Sequence, residues 1–288
     1  MGKNMIKFKV PATSANIGPG FDCLGIAYNF FNEYKVEKSK KMLIEGCDPS
    51  YTTEDNIYNV AFKRTMKKLK KSGSFHVYYK PNIPSSRGLG SSASVIVAGC
   101  LTANLLYGGN KKLTDEEIFE IASEVEGHPD NVAPAIFGGL TASTKLVNGK
   151  YHHSKYKVSN KLNFTILIPD FKTSTEEARK ILPKVYPKNE VVETISHSIL
   201  MVEALSKGDF ELLKSVCRDY VHEPYRKTLI KDYDIIKKQV EKNGDAVLII
   251  SGSGPTLLCI STDENFYKKL KLKGTVANWE IKKMKIKK

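Results

Sequence analysis

Residues 84–93, Pro-Ser-Ser-Arg-Gly-Leu-Gly-Ser-Ser-Ala, lie between a stretch that reads as strand and one that reads as a buried helix. Free backbone N–H groups at a helix start, together with the positive end of the helix dipole, attract phosphate. Gly88 and Gly90 let the backbone come close to an anion, because a Cβ there would crowd it and restrict φ. The hydroxyls of Ser91 and Ser92 add donors and an oxygen suited to Mg²⁺. The loop has neither the Gly-x-x-x-x-Gly-Lys-Ser/Thr of a Walker A segment nor the Gly-x-Gly-x-x-Gly of a dinucleotide site. Alone it reads equally well as a plain tight turn. Two further loops, Pro-Ala-Thr-Ser-Ala-Asn-Ile-Gly-Pro-Gly-Phe-Asp at 11–22 and Ser-Gly-Ser-Gly-Pro at 251–255, share its small-residue character. The three together favour a phosphate site.

The elements that must hold these loops follow from periodicity. Ile6–Val10 alternates apolar and basic residues as a strand, and Pro11 opens the loop that runs to Asp22. Leu24–Val36 reads as a second strand and Met42–Ile44 as a third. Asp55-Asn56 can cap a helix over Ile57–Leu69, whose Val60, Phe62, Met66 and Leu69 have helical spacing. Phe75–Tyr79 reads as strand, and Ser91–Leu106, small and apolar on nearly all faces, as a buried helix. Thr114 with Glu117 forms a capping box for a helix that stops at Gly127. Residues 126–139 are too broken by Pro and Gly for one regular element, and Leu140–Thr144 is a strand. Lys150–Lys161 is polar and basic and reads as a linker between domains; its His152 and His153 have no partners at metal-ligand spacing.

Beyond that linker come a strand at Asn163–Pro169, helices at Ser174–Leu182, Val191–Val216 (broken near Gly208-Asp209) and Tyr233–Lys242, and strands at Ala246–Ile250 and Thr256–Ser261. A short helix near Phe266–Leu270 and a strand at Trp279–Ile286 follow. The pattern predicts an α+β sandwich with helices on one face of a mixed sheet, without internal repeats, in two domains of residues 1–155 and 156–288.

The 288 residues are 41% apolar and 26% charged, a globular composition. No apolar run approaches the about 18 residues of a membrane span, and Met1–Lys7 lacks the apolar core of a secretion signal, so a soluble cytoplasmic protein is expected. Five scattered cysteines, never in a Cys-x-x-Cys pair, argue against a disulfide framework or a zinc site. Forty-five basic against 31 acidic residues give +14, which suits nucleic acid, an acidic membrane or anionic small molecules. Only Arg64, Arg87, Arg179, Arg218 and Arg226 are arginine, whereas nucleic-acid readers lean on arginine forks. The lysines cluster on faces such as 63–71 and in the tail 281–288, which read as solvated. Neither nucleic acid nor membrane is the expected partner.

Taken in order, the loops resemble the motifs of the galactokinase, homoserine kinase, mevalonate kinase and phosphomevalonate kinase (GHMP) superfamily, with 84–93 as its second motif and 11–22 and 251–256 as its first and third. Within it, 11–22 and Glu-Gly-His-Pro-Asp-Asn-Val-Ala-Pro at 126–134 are similar to homoserine kinases, while galactokinases and mevalonate kinases open with a Gly-Glu-His-type motif. The resemblance covers about residue 5 to residue 260. It implies a two-domain GHMP-kinase-like fold: an N-terminal ribosomal-protein-S5-domain-2-like domain and a C-terminal ferredoxin-like α/β sandwich, with the active site in the cleft between them. It also implies ATP- and Mg²⁺-dependent phosphorylation of the side-chain hydroxyl of L-homoserine to O-phospho-L-homoserine, the step toward threonine. Family members are often dimers, which leaves a homodimer open.

Phosphoryl transfer needs a cradle for the triphosphate, a metal on the β and γ oxygens, donors for developing charge and an oriented hydroxyl. By the resemblance, the cradle is Pro84, Ser85, Ser86, Arg87, Gly88, Leu89, Gly90, Ser91, Ser92, Ala93 and Ser94. Ser92 and Glu126 would hold Mg²⁺, and Asn56 would touch adenine. Glu126 also reads as an ordinary helix-end carboxylate, and Asn56 as a helix cap. A small zwitterionic acceptor must have both charges matched when buried. Arg179, on one helix face with Thr175, and Arg226, in His-Glu-Pro-Tyr-Arg, match positions that grip the amino-acid carboxylate. Asn16, Asp22, Asp130 and Asn131 match those facing the ammonium and the reacting hydroxyl. Salt bridges and Asx turns are the plainer readings of the same residues.

Catalysis would rest on Asp130, Asn131 and Arg179, with Asp130 either a general base or a binding group. One rival is the same fold acting on mevalonate or shikimate, against which the first motif and the two arginines speak. The other is a basic RNA-binding protein, which would need none of Ser92, Glu126 or Arg226.

Overall fold

A computed structural model describes residues 5–242 and 245–288; Met1–Asn4, part of the N-terminal stretch read as lacking a secretion signal, fall outside them. The first half of the chain folds as β1 (Ile6–Ala15), β2 (Leu24–Ser39), β3 (Leu43–Glu45), α1 (Ile57–Leu69), β4 (Ser74–Lys80), α2 (Ser91–Tyr107), α3 (Asp115–Glu126), α4 (Val132–Phe137), β5 (Leu140–Lys145) and β6 (Tyr151–Tyr156). The second half comprises β7 (Asn163–Pro169), α5 (Thr175–Lys180), α6 (Lys188–Lys207), α7 (Phe210–Val216), α8 (Glu223–Arg226), α9 (Tyr233–Lys242), β8 (Ala246–Ile250), β9 (Leu257–Ser261), α10 (Phe266–Lys269) and β10 (Trp279–Met284).

The α+β class holds, but the single mixed sheet expected from the alternation is two sheets. The first runs β3-β4-β2-β5-β6 with β1 also paired to β2, and only its β3–β4 pair is parallel. The second runs β10-β7-β9-β8 and is antiparallel throughout. One face of the first sheet packs on α1, α2 and α3 through Tyr34, Val36, Phe62, Phe75, Ile96 and Phe119. A second core joins the two sheets: Ile26, Tyr28 and Leu140 meet Phe164, Ile166, Leu258 and Met201. The far face of the second sheet is covered by α9 and α10 through Ile236, Val240 and Phe266. Helices therefore lie on both sides of it. The chain after β10 returns to β2, where Lys287 N donates to the Ala27 carbonyl at 2.9 Å and Asn29 N to that of Lys285 at 2.8 Å.

Three local expectations are corrected. Pro11 does not end β1; the register to β2 shifts between Pro11 and Thr13, and the strand continues to Ala15. Proline lacks an N–H, so it is tolerated at such a bulge, and the small residues Ala12–Ala15 beyond it are buried between the sheets. Residues 132–137 do form a helix, because Pro134 falls in its first turn, where no amide donor is required. Lys150–Lys161 is no linker along its length. Tyr151–Tyr156 is an edge strand, and the His153 ring stacks on Phe137 with centroids 3.6 Å apart. Its lysines suit an unpaired edge, which charged side chains keep from pairing further.

Candidate active site

Where loops and helices of the two halves of the chain meet, a cleft of about 300 Å³ opens. Its walls are the three small-residue loops, and they are joined through their backbones. Gly252 N donates to the Ala15 carbonyl at 2.9 Å, Thr13 N to that of Leu89 at 3.2 Å and Thr256 N to that of Arg87 at 3.2 Å. Side chains complete the joint: Asn16 Nδ2 donates to the Gly252 carbonyl (2.9 Å) and Ser251 Oγ to that of Gly88 (2.6 Å). Gly88 and Gly90 have φ of 74° and 64°. A Cβ at Gly88 would collide with the Ser251 carbonyl, and one at Gly90 with the Thr13 hydroxyl, so only glycine fits.

Ser85, Ser86, Arg87, Gly88, Leu89, Gly90, Ser91 and Ser92 all line the cleft ahead of α2. The Arg87 guanidinium is directed elsewhere, donating to the carbonyls of Pro169 and Asp170, both at 3.0 Å. Three residues of the expected cradle do not reach it. Pro84 lines a shallow depression beside Pro169 and Trp279. Ala93 and Ser94 are buried in the first turn of α2, where the Ser94 hydroxyl accepts from Asn32 Nδ2 at 3.2 Å. Asn56 borders the cleft, but its Oδ1 caps α1 by accepting from Tyr58 N at 2.8 Å and its Nδ2 donates to the Tyr51 carbonyl. The wall beside it is apolar and aromatic, made by Ile44, Tyr51, Ile57 and Tyr79.

Glu126, the last residue of α3, receives a hydrogen bond of 2.7 Å from the Ser92 hydroxyl in the first turn of α2. Burial raises the Glu126 carboxyl above its ordinary range, while the Ser92 bond and the neighbouring His128 pull it back. A half-desolvated carboxylate beside a hydroxyl at a helix start is an all-oxygen pair of the kind Mg²⁺ takes. Among the described residues no group of three or more His, Cys, Asp or Glu could hold a metal alone. An ion at Ser92 and Glu126 would therefore complete its shell with phosphate and water.

The Gly127–Asn131 turn supplies the next groups. Asp130, almost fully buried, accepts through Oδ1 from His128 Nδ1 at 2.6 Å and from Asn131 N at 2.9 Å. Burial lowers the His128 pKa, but the bond to Asp130 and its charge, with that of Glu126, outweigh burial and leave it raised. The Thr13 hydroxyl donates to Asn131 Oδ1 at 2.7 Å, which fixes that amide against β1.

Charges concentrate at the opposite end. Arg179 and Asp22 form a two-pronged ion pair at 2.9 and 3.0 Å, and that hydrogen bonding raises the guanidinium pKa further. Arg226 is 1% exposed, donating to the carbonyls of Ala178 (3.0 Å) and Gly252 (3.2 Å), with its guanidinium 5.0 Å from the Phe21 ring centre. Burial, then the neighbouring Arg179, bring its pKa down to about 10, so it is still a cation at neutral pH. The Thr175 and Ser253 hydroxyls are 3.3 Å apart on the rim. Asn16, Asp22, Asp130, Asn131, Thr175, Arg179 and Arg226 thus share one cleft. The expectations omitted Thr13, Phe21, His128 and Ser253, each of which lies inside a quoted motif and was passed over because its side chain looked incidental there.

Comparison with known proteins bears on this geometry directly. Residues 56–139 match the GHMP kinases N terminal domain, and residues 201–273 the GHMP kinases C terminal model. A homoserine kinase of Clostridium botulinum (strain ATCC 19397 / Type A) is 44% identical over 288 residues, covering 98% of this chain and 96% of that protein. One from Clostridium beijerinckii is 42% identical over 272 residues, covering 93% and 90%. The chain belongs to the homoserine kinase family of GHMP kinases. The crystal structure of homoserine kinase from Cytophaga hutchinsonii superimposes with a TM-score of 0.88 at 28% identity, covering 99% of this chain and 96% of that one. Membership makes this protein a two-domain ATP-using kinase.

Proposed function

We propose that the protein transfers the γ-phosphoryl group of ATP to the side-chain hydroxyl of L-homoserine, giving O-phospho-L-homoserine for threonine biosynthesis. The observation that carries this reading is the charge set at one end of the cleft, where Asp22, Arg179 and Arg226 converge. A small zwitterion is the acceptor whose two charges such a set can match.

In this reading the amides of Ser86–Ser92 receive the phosphates, and the adenine lies against Ile57, Tyr51 and Tyr79, with Asn56 acting through its cap. Ser92 and Glu126 would hold Mg²⁺, which would supply positive charge to offset that of the phosphates. Asp22 takes the acceptor ammonium, and Arg179 and Arg226 its carboxylate, with Asn16 and Thr175 beside them. Binding therefore exchanges the Asp22–Arg179 pair for pairs with the substrate, and gives Arg226, which otherwise bonds to two carbonyls and an imidazole, a carboxylate partner. Asn131 orients the hydroxyl. Asp130 already accepts twice through one oxygen, and we assign it to holding His128 and the turn rather than to removing a proton. The hydroxyl proton then passes to the phosphoryl group under attack.

A coupled ADP-release assay with Mg²⁺ and ATP against L-homoserine, mevalonate, shikimate, galactose and no acceptor tests the reading. Turnover confined to L-homoserine is expected, and turnover on another acceptor would overturn the roles of Asp22, Arg179 and Arg226. For Asp130→Asn a raised acceptor KM is expected, whereas a collapse of kcat at unchanged KM would make Asp130 the base.

We also assign the protein to the cytoplasm, where ATP is supplied and where cysteines stay reduced; none is disulfide-bonded among the described residues. A homodimer is proposed through α6, whose outer face carries Val192, Ile195 and Ile199, each more than half exposed, between Lys188 and Glu203. Antiparallel pairing of two such faces would set Lys188 opposite Glu203 of the second copy. Sedimentation velocity of the protein and of Ile195→Glu checks this.

A further inference from the structure

His222 is the one fully buried imidazole among the described residues, and the roles above do not use it. Its Nε2 lies 3.0 Å from the Gly18 carbonyl. A carbonyl oxygen can only accept, so Nε2 must carry the hydrogen. Burial holds the ring below the ordinary imidazole pKa, against the opposing charges of Asp219 and Asp22. The neutral ring so fixed has one lone pair, on Nδ1, and Arg226 Nη1 is 3.5 Å from it. A guanidinium has no acceptor, so Arg226 donates.

The surroundings are equally specific. Phe21 stacks on the imidazole with centroids 5.4 Å apart and also faces Arg226. Asp219, buried beside Nε2 at 3.7 Å, accepts from the backbone amides of Val221, His222 and Glu223 and so fixes the turn that carries the ring. The ring therefore bridges Gly18, between Asn16 and Asp22 of the first motif, and Arg226 of α8.

We infer that His222 is a positioning residue for the acceptor site. Its Nε2–H on Gly18 and its Nδ1 lone pair on Arg226 hold the ammonium-side loop and the carboxylate-side arginine in one frame. A ring that merely filled space would need neither nitrogen. The inference rests on the proposed acceptor reading for its kinetic consequence, though not for its geometry.

Three variants separate the two nitrogens. His222→Asn puts an amide oxygen near the Nδ1 position, His222→Gln reaches the Nε2 position with a donor for Gly18, and His222→Phe keeps the stacking with neither. Loss of the hydrogen bond to the charged Arg226 corresponds to about tenfold in acceptor KM for Gln, with at least as much for Phe, which also loses the bond to Gly18, against about threefold or less for Asn. Throughout, kcat and the KM for ATP should stay within about twofold. Equal acceptor KM values in all three folded variants would overturn the inference.

A second measurement depends neither on variant folding nor on the identity of the acceptor. In the wild-type protein with ¹⁵N-labelled histidine, the His222 Nδ1 resonance should be that of an unprotonated nitrogen at neutral pH. A protonated Nδ1 overturns the inference whatever the substrate. Absence of L-homoserine turnover in the wild type would instead sink the acceptor reading and leave the tautomer result standing.

Discussion

The two ends of the cleft are built by opposite means. The nucleotide end is largely main chain: one contiguous loop, two glycines that a Cβ would obstruct, and the start of a buried helix. The acceptor end is side chain, and its charges come from Asp22, Arg179 and Arg226, which are scattered along the sequence and meet only in the fold. Backbone amides attract phosphate without carrying a charge that must be compensated when the site is empty. Formal charges need a partner at all times, and Asp22 with Arg179 supply one another's. A cradle of amides thus tolerates an open, wet entrance, whereas the charged pocket depends on partners that keep their geometry.

Four substitutions would break or sharpen that contrast. The largest effect is expected at the carboxylate of the nucleotide end. Glu126→Gln should lower kcat by about 10²–10³ with little change in acceptor KM, read from initial rates across a magnesium titration; an unchanged kcat would leave the cradle without a metal-binding role. At the other end, Arg226→Lys loses the planar fork and should lower kcat/KM for L-homoserine about 100-fold while leaving the KM for ATP alone. If both KM values moved together, the two ends would not be separable in this way.

Gly90→Ala tests the joint between them. Its φ of 64° and the collision with the Thr13 hydroxyl, which is bonded to Asn131, should cost about 1–3 kcal/mol and roughly tenfold in kcat. Steady-state kinetics with both substrates varied will show whether the loss reaches the acceptor side.

The smallest effect concerns stability. Burial, with help from Asp219, lifts the Glu223 carboxyl to about 8 from an ordinary 4.5. Its contribution is therefore complete below pH 4.5 and is lost as pH rises toward 8. Glu223→Gln keeps an acceptor for the Ile250 amide and should lack that decline, melting a few degrees above the wild type at pH 8. Melting temperatures across the range check this, and parallel curves for the two proteins would contradict it.

The same contrast explains what could be read from the chain alone. Ser91–Tyr107 and the loop before it were legible because small residues and glycines stand side by side, so local pattern and local structure coincide. The capping box at Thr114 was legible for the same reason, with both of its hydrogen bonds present. Arg179 and Arg226 could be tied to one pocket only through the resemblance to relatives, since they lie 47 positions apart with α6 and α7 between them. His128 and Thr13 stayed hidden inside legible motifs, because their importance lies in the bonds to Asp130 and Asn131. Tyr151–Tyr156 was misread for another physical reason: an edge strand has only one partner, and exposed Lys155 with the flanking Lys150 and Lys157 outweighs the alternation of Tyr151 and His153. The α6 stripe at Val192, Ile195 and Ile199 also escaped notice, since apolar residues at helical spacing look the same whether they face a core or solvent.

The return of residues 285–287 to β2 bears on how the protein is made. Every named strand of the first sheet precedes residue 157, yet the Ala27 carbonyl and the Asn29 amide are bonded by the segment after β10. Synthesis runs from the N-terminus, and domains tend to fold as they emerge. On the ribosome, then, this stretch of the β2 edge stays open until the strands of the second sheet have been translated, and the stitch that ties the two sheets can close only after both have emerged.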